Sequence, residues 1–172
     1  PRKPAVSDLN TQAVQIDGMS GIRFVPSTKT GIDAYLNEMN VVVPKRGNSP
    51  ERSSNYLSLS GGGDNGAFGA GLLAGWTQQG SRPEFDQVVG ISTGALSAPF
   101  AFLGSRYDDR LKQVFTKTTP ADIYSDRSLV SVLMGDSLAD NTPLFNLIQK
   151  TIDTEMLENI ASEYENKGRL LR

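Results

Sequence analysis

The alternation of strand-like and helix-like segments over residues 55–104 constrains the fold more than any other feature of the sequence. The alternating apolar run "YLSLS" leads through "GGGDNG" into the helix-like "AFGAGLLAGWTQQG". The strand-like "FDQVV" then leads through "GISTG" into the helix-like "ALSAPFAFLG". Strands that alternate with helices predict an α/β domain, in which helices flank a parallel sheet.

The rest of the chain divides into a proline-rich beginning and a helical end. Residues 1–54 contain five prolines and only short regular pieces, such as "GIRFV" and the helix-like "GIDAYLNEM". We therefore expect an N-terminal arm over 1–54 that packs on a core domain over 55–172. Helical patterns cover "DDRLKQVFTK", "NTPLFNLIQKTI" and "DTEMLENIASEYENKG", and the closing "GRLLR" predicts the entry to a further strand.

Composition excludes several classes of function. The 172 residues carry 17 Lys and Arg against 19 Asp and Glu, without the basic surface that nucleic-acid binding requires. Nucleic acid is therefore excluded as a partner. The sequence contains no cysteine and no histidine, so it can form neither a thiol nucleophile nor a Ser-His-Asp triad. We predict no metal site and no cofactor, and no apolar run approaches the roughly 20 residues that span a bilayer.

The glycine-rich loop after the first predicted strand matches a dinucleotide-binding pattern. Gly61, Gly63 and Gly66 give G-x-G-x-x-G between a strand and a helix. That fold also needs an acid at the carboxyl end of the second strand, whereas Glu84 and Asp86 precede that strand. A phosphate-binding P-loop would continue with Lys and Ser or Thr, but this sequence continues with "AF". Nucleotide binding and tight strand–helix packing both stay open as alternatives.

The segment "GISTG" predicts a nucleophile elbow. Gly90, Ser92 and Gly94 give G-x-S-x-G between a strand and a helix. A sharp turn there exposes the serine hydroxyl and leaves no room for side chains at the flanking positions, which explains the two glycines. The alternative is an ordinary turn in which the serine caps the following helix.

The two glycine motifs explain each other if Ser92 attacks an acyl group. The resulting oxyanion needs several backbone N–H groups aimed at one point, and a loop without Cβ atoms can supply them close to the substrate. We assign this oxyanion hole to Gly61, Gly62, Gly63 and Asp64, with Gly66, Gly90 and Gly94 as the remaining motif glycines.

The segments "SGGGDNGAFGAG" and "RPEFDQVVGISTGALSAPFAFLG" resemble the patatin-like phospholipases, which are serine acyl hydrolases with a Ser-Asp dyad. The resemblance implies a three-layer α/β/α fold, Ser92 as the nucleophile, and a lipid or other acyl ester as the substrate. It also accounts for the missing histidine. The segments "IDGMSGIRF" and "NKGRLL" are similar to a bacterial envelope subgroup whose members are often lipoproteins. That similarity implies an envelope or secreted location with peripheral membrane contact, and a cytoplasmic location stays open.

Two departures from the family pattern concern the chemistry. Asp64 and Asn65 stand where many members carry a basic residue. The family's general base is an aspartate in a later Asp-Gly-Gly or Asp-Gly-Ala motif, but the only Asp-Gly pair here is Asp17-Gly18, which precedes Ser92.

Three aspartates that follow Ser92, namely Asp126, Asp136 and Asp140, lie in segments without that motif. No base is therefore assigned. We expect it beyond residue 172, in a longer protein whose amino-terminal part is this chain, or in a second chain. The alternative function is a binding or partner-dependent half-domain that is catalytically incomplete.

Overall fold

A computed structural model of the protein describes residues 7, 18, 23, 25–47, 53–117, 125–126, 139–140 and 142–172. The described helices are α1 (Lys29–Val42), α2 (Gly66–Gln79), α3 (Thr93–Leu103), α4 (Asp108–Lys117), α5 (Thr142–Thr151) and α6 (Thr154–Lys167). The described strands are β1 (Tyr56–Leu59), β2 (Gln87–Gly90), β3 (Ser125–Asp126), β4 (Ala139–Asp140) and β5 (Leu170–Leu171). Short 3-10 turns cover Val43–Arg46, Gly63–Asn65 and Ser105–Tyr107.

Three strands form a parallel sheet in the order β1-β2-β5. In the register, Leu57 is opposite Val88, and Val88 is opposite Leu171. Strands β3 and β4 form a separate antiparallel pair. The predicted α/β fold with a parallel sheet flanked by helices is confirmed, and so is the strand predicted at "GRLLR".

Helix α3 lies at the centre of the packing, because it contacts β1, β2, β5 and the helices α2, α4 and α6. Its Phe100 and Phe102 are buried in one apolar cluster with Val88, Leu111 and Met156. Burial of such side chains supplies the main driving force for folding. The helix that follows the predicted elbow is therefore held firmly from several sides.

Two buried arginines bind the last carbonyl groups of α3, which have no partner within the helix. Arg82 donates to the Ala101 carbonyl at 3.2 Å and pairs with Asp108 at 2.7 Å. Arg169 donates to the Phe102 carbonyl and pairs with Glu163 at 2.6 Å. The carboxyl end of α3 is thereby tied to α4, α6 and the loop before β2.

Helix α1 and the turn after it pack near the carboxyl end of α6. Arg46 Nε donates to the Gly168 carbonyl at 2.8 Å, Glu38 pairs with Arg172, and Val42 is fully buried. These contacts come from the predicted arm, although its boundary at residue 54 stays a prediction. Within the part of the chain that the structure describes, no helix is long and apolar enough to cross a membrane.

Candidate active site

Ser92 lies between the end of β2 and the start of α3 and has a strained backbone. Its φ and ψ are 56° and −123°, and it is the only non-glycine residue with a positive φ in the described ranges. Such a conformation costs about 1–3 kcal/mol and persists only where the surrounding structure enforces it. Ser92 is exposed, so the strained turn lies at the surface.

The glycines on either side of Ser92 occupy positions without room for a side chain. A Cβ at Gly90 would lie 2.7 Å from Ala95 Cα, and a Cβ at Gly94 would lie 2.7 Å from the carbonyl carbon of Leu59. Real Cβ contacts are essentially never this short. The G-x-S-x-G spacing is therefore a steric requirement of this turn.

The glycine-rich loop lies directly against Ser92, because the carboxyl ends of neighbouring parallel strands meet at one edge of the sheet. Ile91 N–H donates to the Leu59 carbonyl at 3.1 Å, which continues the pairing of β1 with β2 to the elbow. A Cβ at Gly61 would lie 2.9 Å from Ser92 Cβ and 3.5 Å from Ser92 Oγ. The structure thus brings the two predicted motifs together.

Several backbone N–H groups of the loop are available to a ligand. The N–H groups of Gly61, Gly62, Gly63 and Asp64 donate to no backbone carbonyl of the described residues. The φ of Gly63 is +55°, in the left-handed region that glycine adopts without strain. The start of α2 adds the positive end of a helix dipole. The loop can therefore present several donors beside Ser92.

Gly66 has a packing role in which the sequence did not reveal the partners. A Cβ there would lie 2.7 Å from Phe115 Cε1 and 3.0 Å from Thr93 Cβ. Two side chains thus pack against the start of α2, namely the ring of Phe115 on α4 and Thr93, which follows the candidate nucleophile. The tight-packing interpretation of the glycines applies to this position.

A cavity of about 470 Å³ opens between the end of β1 and the first turns of α2 and α3. Its lining reaches from Gly61, next to Ser92, past Leu59 and Phe68 to Ser97. None of the described residues that line it carries an ionisable side chain. The cavity can accept an uncharged group beside the candidate nucleophile.

The acidic residue nearest to β2 in the sequence lies at the end of the strand away from the glycine loop. Asp86 precedes β2, is buried, and accepts a hydrogen bond from Asn55 N–H at 2.9 Å. A dinucleotide site needs its acid at the other end, beside the glycines. The geometry therefore gives no support to the nucleotide alternative.

The base predicted by the family resemblance has no counterpart in the described contacts. No side chain in the described ranges forms a hydrogen bond with Ser92 Oγ. Asp126 and Asp140 lie on the β3–β4 pair, whereas Asp17 and Asp136 fall outside the described residues. No cluster of three or more potential metal ligands occurs where the structure is described.

A family model described as Patatin-like phospholipase matches residues 57–166, from β1 into α6. The chain belongs to the patatin-like phospholipase family. Lipid acyl hydrolysis is therefore supported at the level of the family. Comparison with curated proteins and with solved structures gave no match.

The patatin-like match does not itself assign roles to residues. Its span includes both glycine motifs, and the structure places them in contact, but the roles of Ser92 and of the loop stay predictions. Thr93, Ser97 and Phe115 were missed by the sequence argument. The i, i+4 spacing of Thr93 and Ser97 was visible in the sequence, but the cavity beside them was not.

Proposed function

We propose that this patatin-like protein is a serine lipid acyl hydrolase that forms an acyl-enzyme at Ser92. The observation that carries the proposal is the strained, exposed Ser92 with the glycine loop packed against its side chain. Strain of this kind is expensive and concentrates at functional sites. An ordinary helix-capping serine needs no such conformation, and Ser92 makes no side-chain capping hydrogen bond.

The chemistry follows from this arrangement. Ser92 Oγ attacks the carbonyl carbon of an ester, and its proton passes to a general base. The carbonyl oxygen becomes an oxyanion, which the N–H groups of Gly61, Gly62, Gly63 and Asp64 stabilise. Collapse of the intermediate breaks the ester bond, and the departing alcohol takes the proton. Water then attacks the acyl-enzyme by the same route and releases a carboxylic acid and free Ser92.

The general base in this proposal is an aspartate. The reason is that the family's base stands in an Asp-Gly-Gly or Asp-Gly-Ala motif. No such motif occurs between Ser92 and Arg172. The proposal therefore takes the aspartate from a segment beyond residue 172 or from a second chain. A binding or partner-dependent half-domain is the second candidate, because Ser92 Oγ has no hydrogen-bond partner among the described residues.

The surface beside Ser92 supports a lipid as the substrate. Ile91 precedes Ser92 and is 69% exposed, and Phe68, on the cavity wall, is 77% exposed. Exposed large apolar side chains beside a site favour contact with an apolar partner. We include peripheral contact with a lipid surface and location in the bacterial envelope, or secretion, in the proposal.

The test is hydrolysis of p-nitrophenyl esters and phosphatidylcholine vesicles by the full-length protein. We expect turnover that Ser92→Ala abolishes with little change in thermal stability. Turnover at the wild-type rate in Ser92→Ala would refute the assignment of Ser92 as the nucleophile. A full-length protein that binds vesicles but hydrolyses neither ester would favour the binding module.

A further inference from the structure

Thr93, the first residue of α3, has a buried hydroxyl without a partner. Its Oγ1 is inaccessible to solvent and forms no hydrogen bond with any described residue. Buried polar groups are almost always paired, because burial without a partner is unfavourable. A lone buried hydroxyl beside a strained serine therefore calls for a physical explanation.

Ser97 shows that the local backbone can satisfy a hydroxyl at this place. It lies one helical turn after Thr93, lines the same cavity and is 3% exposed. Its Oγ donates to the Thr93 carbonyl at 3.2 Å. The two hydroxyls thus belong to residues of one helix and one cavity lining, but only that of Thr93 has no hydrogen-bond partner among the described residues.

The cavity lined by Thr93 determines what ligand this hydroxyl can bind. It begins at Gly61 beside Ser92, and its lining combines uncharged polar groups with the apolar side chains of Leu59 and Phe68. A carboxylate or phosphate buried there would find no cationic side chain among the described lining residues to offset its desolvation. An uncharged ester has an oxygen that accepts a hydrogen bond and an apolar chain that suits the rest of the lining.

We propose that rotation of the Thr93 side chain turns Oγ1 towards this cavity, where it donates a hydrogen bond to an oxygen of the substrate's ester group when the acyl part is bound. This inference rests on the proposed function, because it places the ester of a Ser92 substrate. It makes Thr93 a substrate-binding residue and predicts selectivity for neutral esters over carboxylates of the same chain length.

An ordered water molecule would also satisfy the Thr93 hydroxyl. The two explanations differ in a measurable way. If only water binds there, Thr93→Val leaves ester affinity unchanged. If the ester binds there, the same variant loses affinity although the shape of the side chain is retained. In both cases replacing the hydroxyl by a methyl group of similar shape costs the fold little, because no described residue loses a hydrogen-bond partner.

The experiment measures binding of methyl hexanoate to full-length Ser92→Ala protein by ligand-observed NMR. This background makes the result independent of whether Ser92 turns over substrate, so failure of the proposed function appears separately in the hydrolysis assay. Thr93→Val, Thr93→Ser and Ser97→Ala are each added to the background. Hexanoate serves as the charged control ligand, and thermal midpoints report folding.

We expect Thr93→Val to weaken methyl hexanoate binding about 3- to 10-fold, as the loss of one hydrogen bond does, with an unchanged or higher thermal midpoint. Thr93→Ser restores most of the affinity, and Ser97→Ala changes it less than about twofold. Hexanoate binds more weakly than the ester. Unchanged ester affinity in Thr93→Val, tighter binding of hexanoate, or no ester binding to the Ser92→Ala protein would overturn the inference.

Discussion

Gly94 lies so close to Leu59 that a Cβ on Gly94 would be 2.7 Å from the carbonyl carbon of Leu59 and nearer still to its oxygen. This contact joins the helix that follows Ser92 to the end of the neighbouring strand. The glycine loop begins only two residues after Leu59. The nucleophile and the loop are thus held together by backbone contact at one point.

Gly94→Ala tests this contact. We expect the substitution to lower the free energy of unfolding by about 1–3 kcal/mol, because the added methyl group displaces backbone atoms. Gly75→Ala is the matched control, since Gly75 is also helical but has nothing within 4 Å of a Cβ. Helix propensity alone predicts that the control gains up to about 1 kcal/mol. Urea denaturation measures both, and a stabilising Gly94→Ala would contradict the packing.

Gly61→Ala tests the position of the loop relative to Ser92. The added Cβ would lie 2.9 Å from Ser92 Cβ, so the loop or the serine must move. Misplacement of one oxyanion donor costs about 10²- to 10³-fold in rate, and we expect kcat for ester hydrolysis to fall by that amount. Gly71→Ala, with open space at its Cβ, is expected to retain kcat. Equal kcat values in the two variants would contradict the assignment of Gly61 to the oxyanion hole.

The sequence predicted the two strand–glycine–helix units because their signals are local. Strand alternation, glycine turns and helix caps each involve residues only a few positions apart. A local cap of this kind also starts α6, where Asp153 accepts a hydrogen bond from Met156 N–H at 2.9 Å. The contact between Gly66 and Phe115 was not predicted, because it joins elements far apart in the chain. No local pattern reports which distant side chain fills a gap.

The buried arginines were missed for a related reason. Arg82 and Arg169 resemble ordinary surface charges in the sequence, yet their side chains are 5% and 3% exposed. Their partners are helix-end carbonyls and carboxylates from other elements. Charge placement in a core depends on the assembled fold, so only the structure could assign these roles.

Arg82→Met tests the first of these buried pairs. Removing the guanidinium leaves Asp108, whose side chain is 9% exposed, without its cation. Breaking a buried pair costs about 3–5 kcal/mol in the free energy of unfolding, and the double variant Arg82→Met/Asp108→Leu is expected to lose less. Lys29→Met breaks the exposed pair with Asp33 and is expected to cost less than about 1 kcal/mol. Urea denaturation measures the free energy of unfolding of both variants. Similar losses in Arg82→Met and Lys29→Met would show that burial does not increase the contribution of an ion pair to stability.

Glu163 makes stability depend on pH. Burial raises its pKa, but hydrogen bonds from Arg169 and Lys167 outweigh burial and hold the pKa below its ordinary value. A folded-state pKa below the unfolded one gives stability that is present above the unfolded value and is lost as pH falls through the folded value. Glu163→Gln is therefore expected to cost about 1.5–3 kcal/mol at pH 7 and progressively less below about pH 4.

Chemical denaturation at several pH values measures the difference between the wild type and Glu163→Gln. A difference that stays constant from pH 7 to pH 3 would mean that the charge of Glu163 contributes nothing. Glu158, which lies beyond the first turn of α6, is exposed and forms no ion pair among the described residues, provides a comparison through Glu158→Gln. We expect that variant to change stability by less than about 0.5 kcal/mol at every pH.

Covalent labelling tests the central claim most directly. The full-length protein is treated with a fluorophosphonate, and intact-mass and peptide mass spectrometry locate the adduct. We predict one adduct per chain, on Ser92, and none in Ser92→Ala. An adduct on another residue that persists in Ser92→Ala, or a full-length protein that hydrolyses esters while Ser92 stays unmodified, would contradict the assignment of Ser92 as the nucleophile.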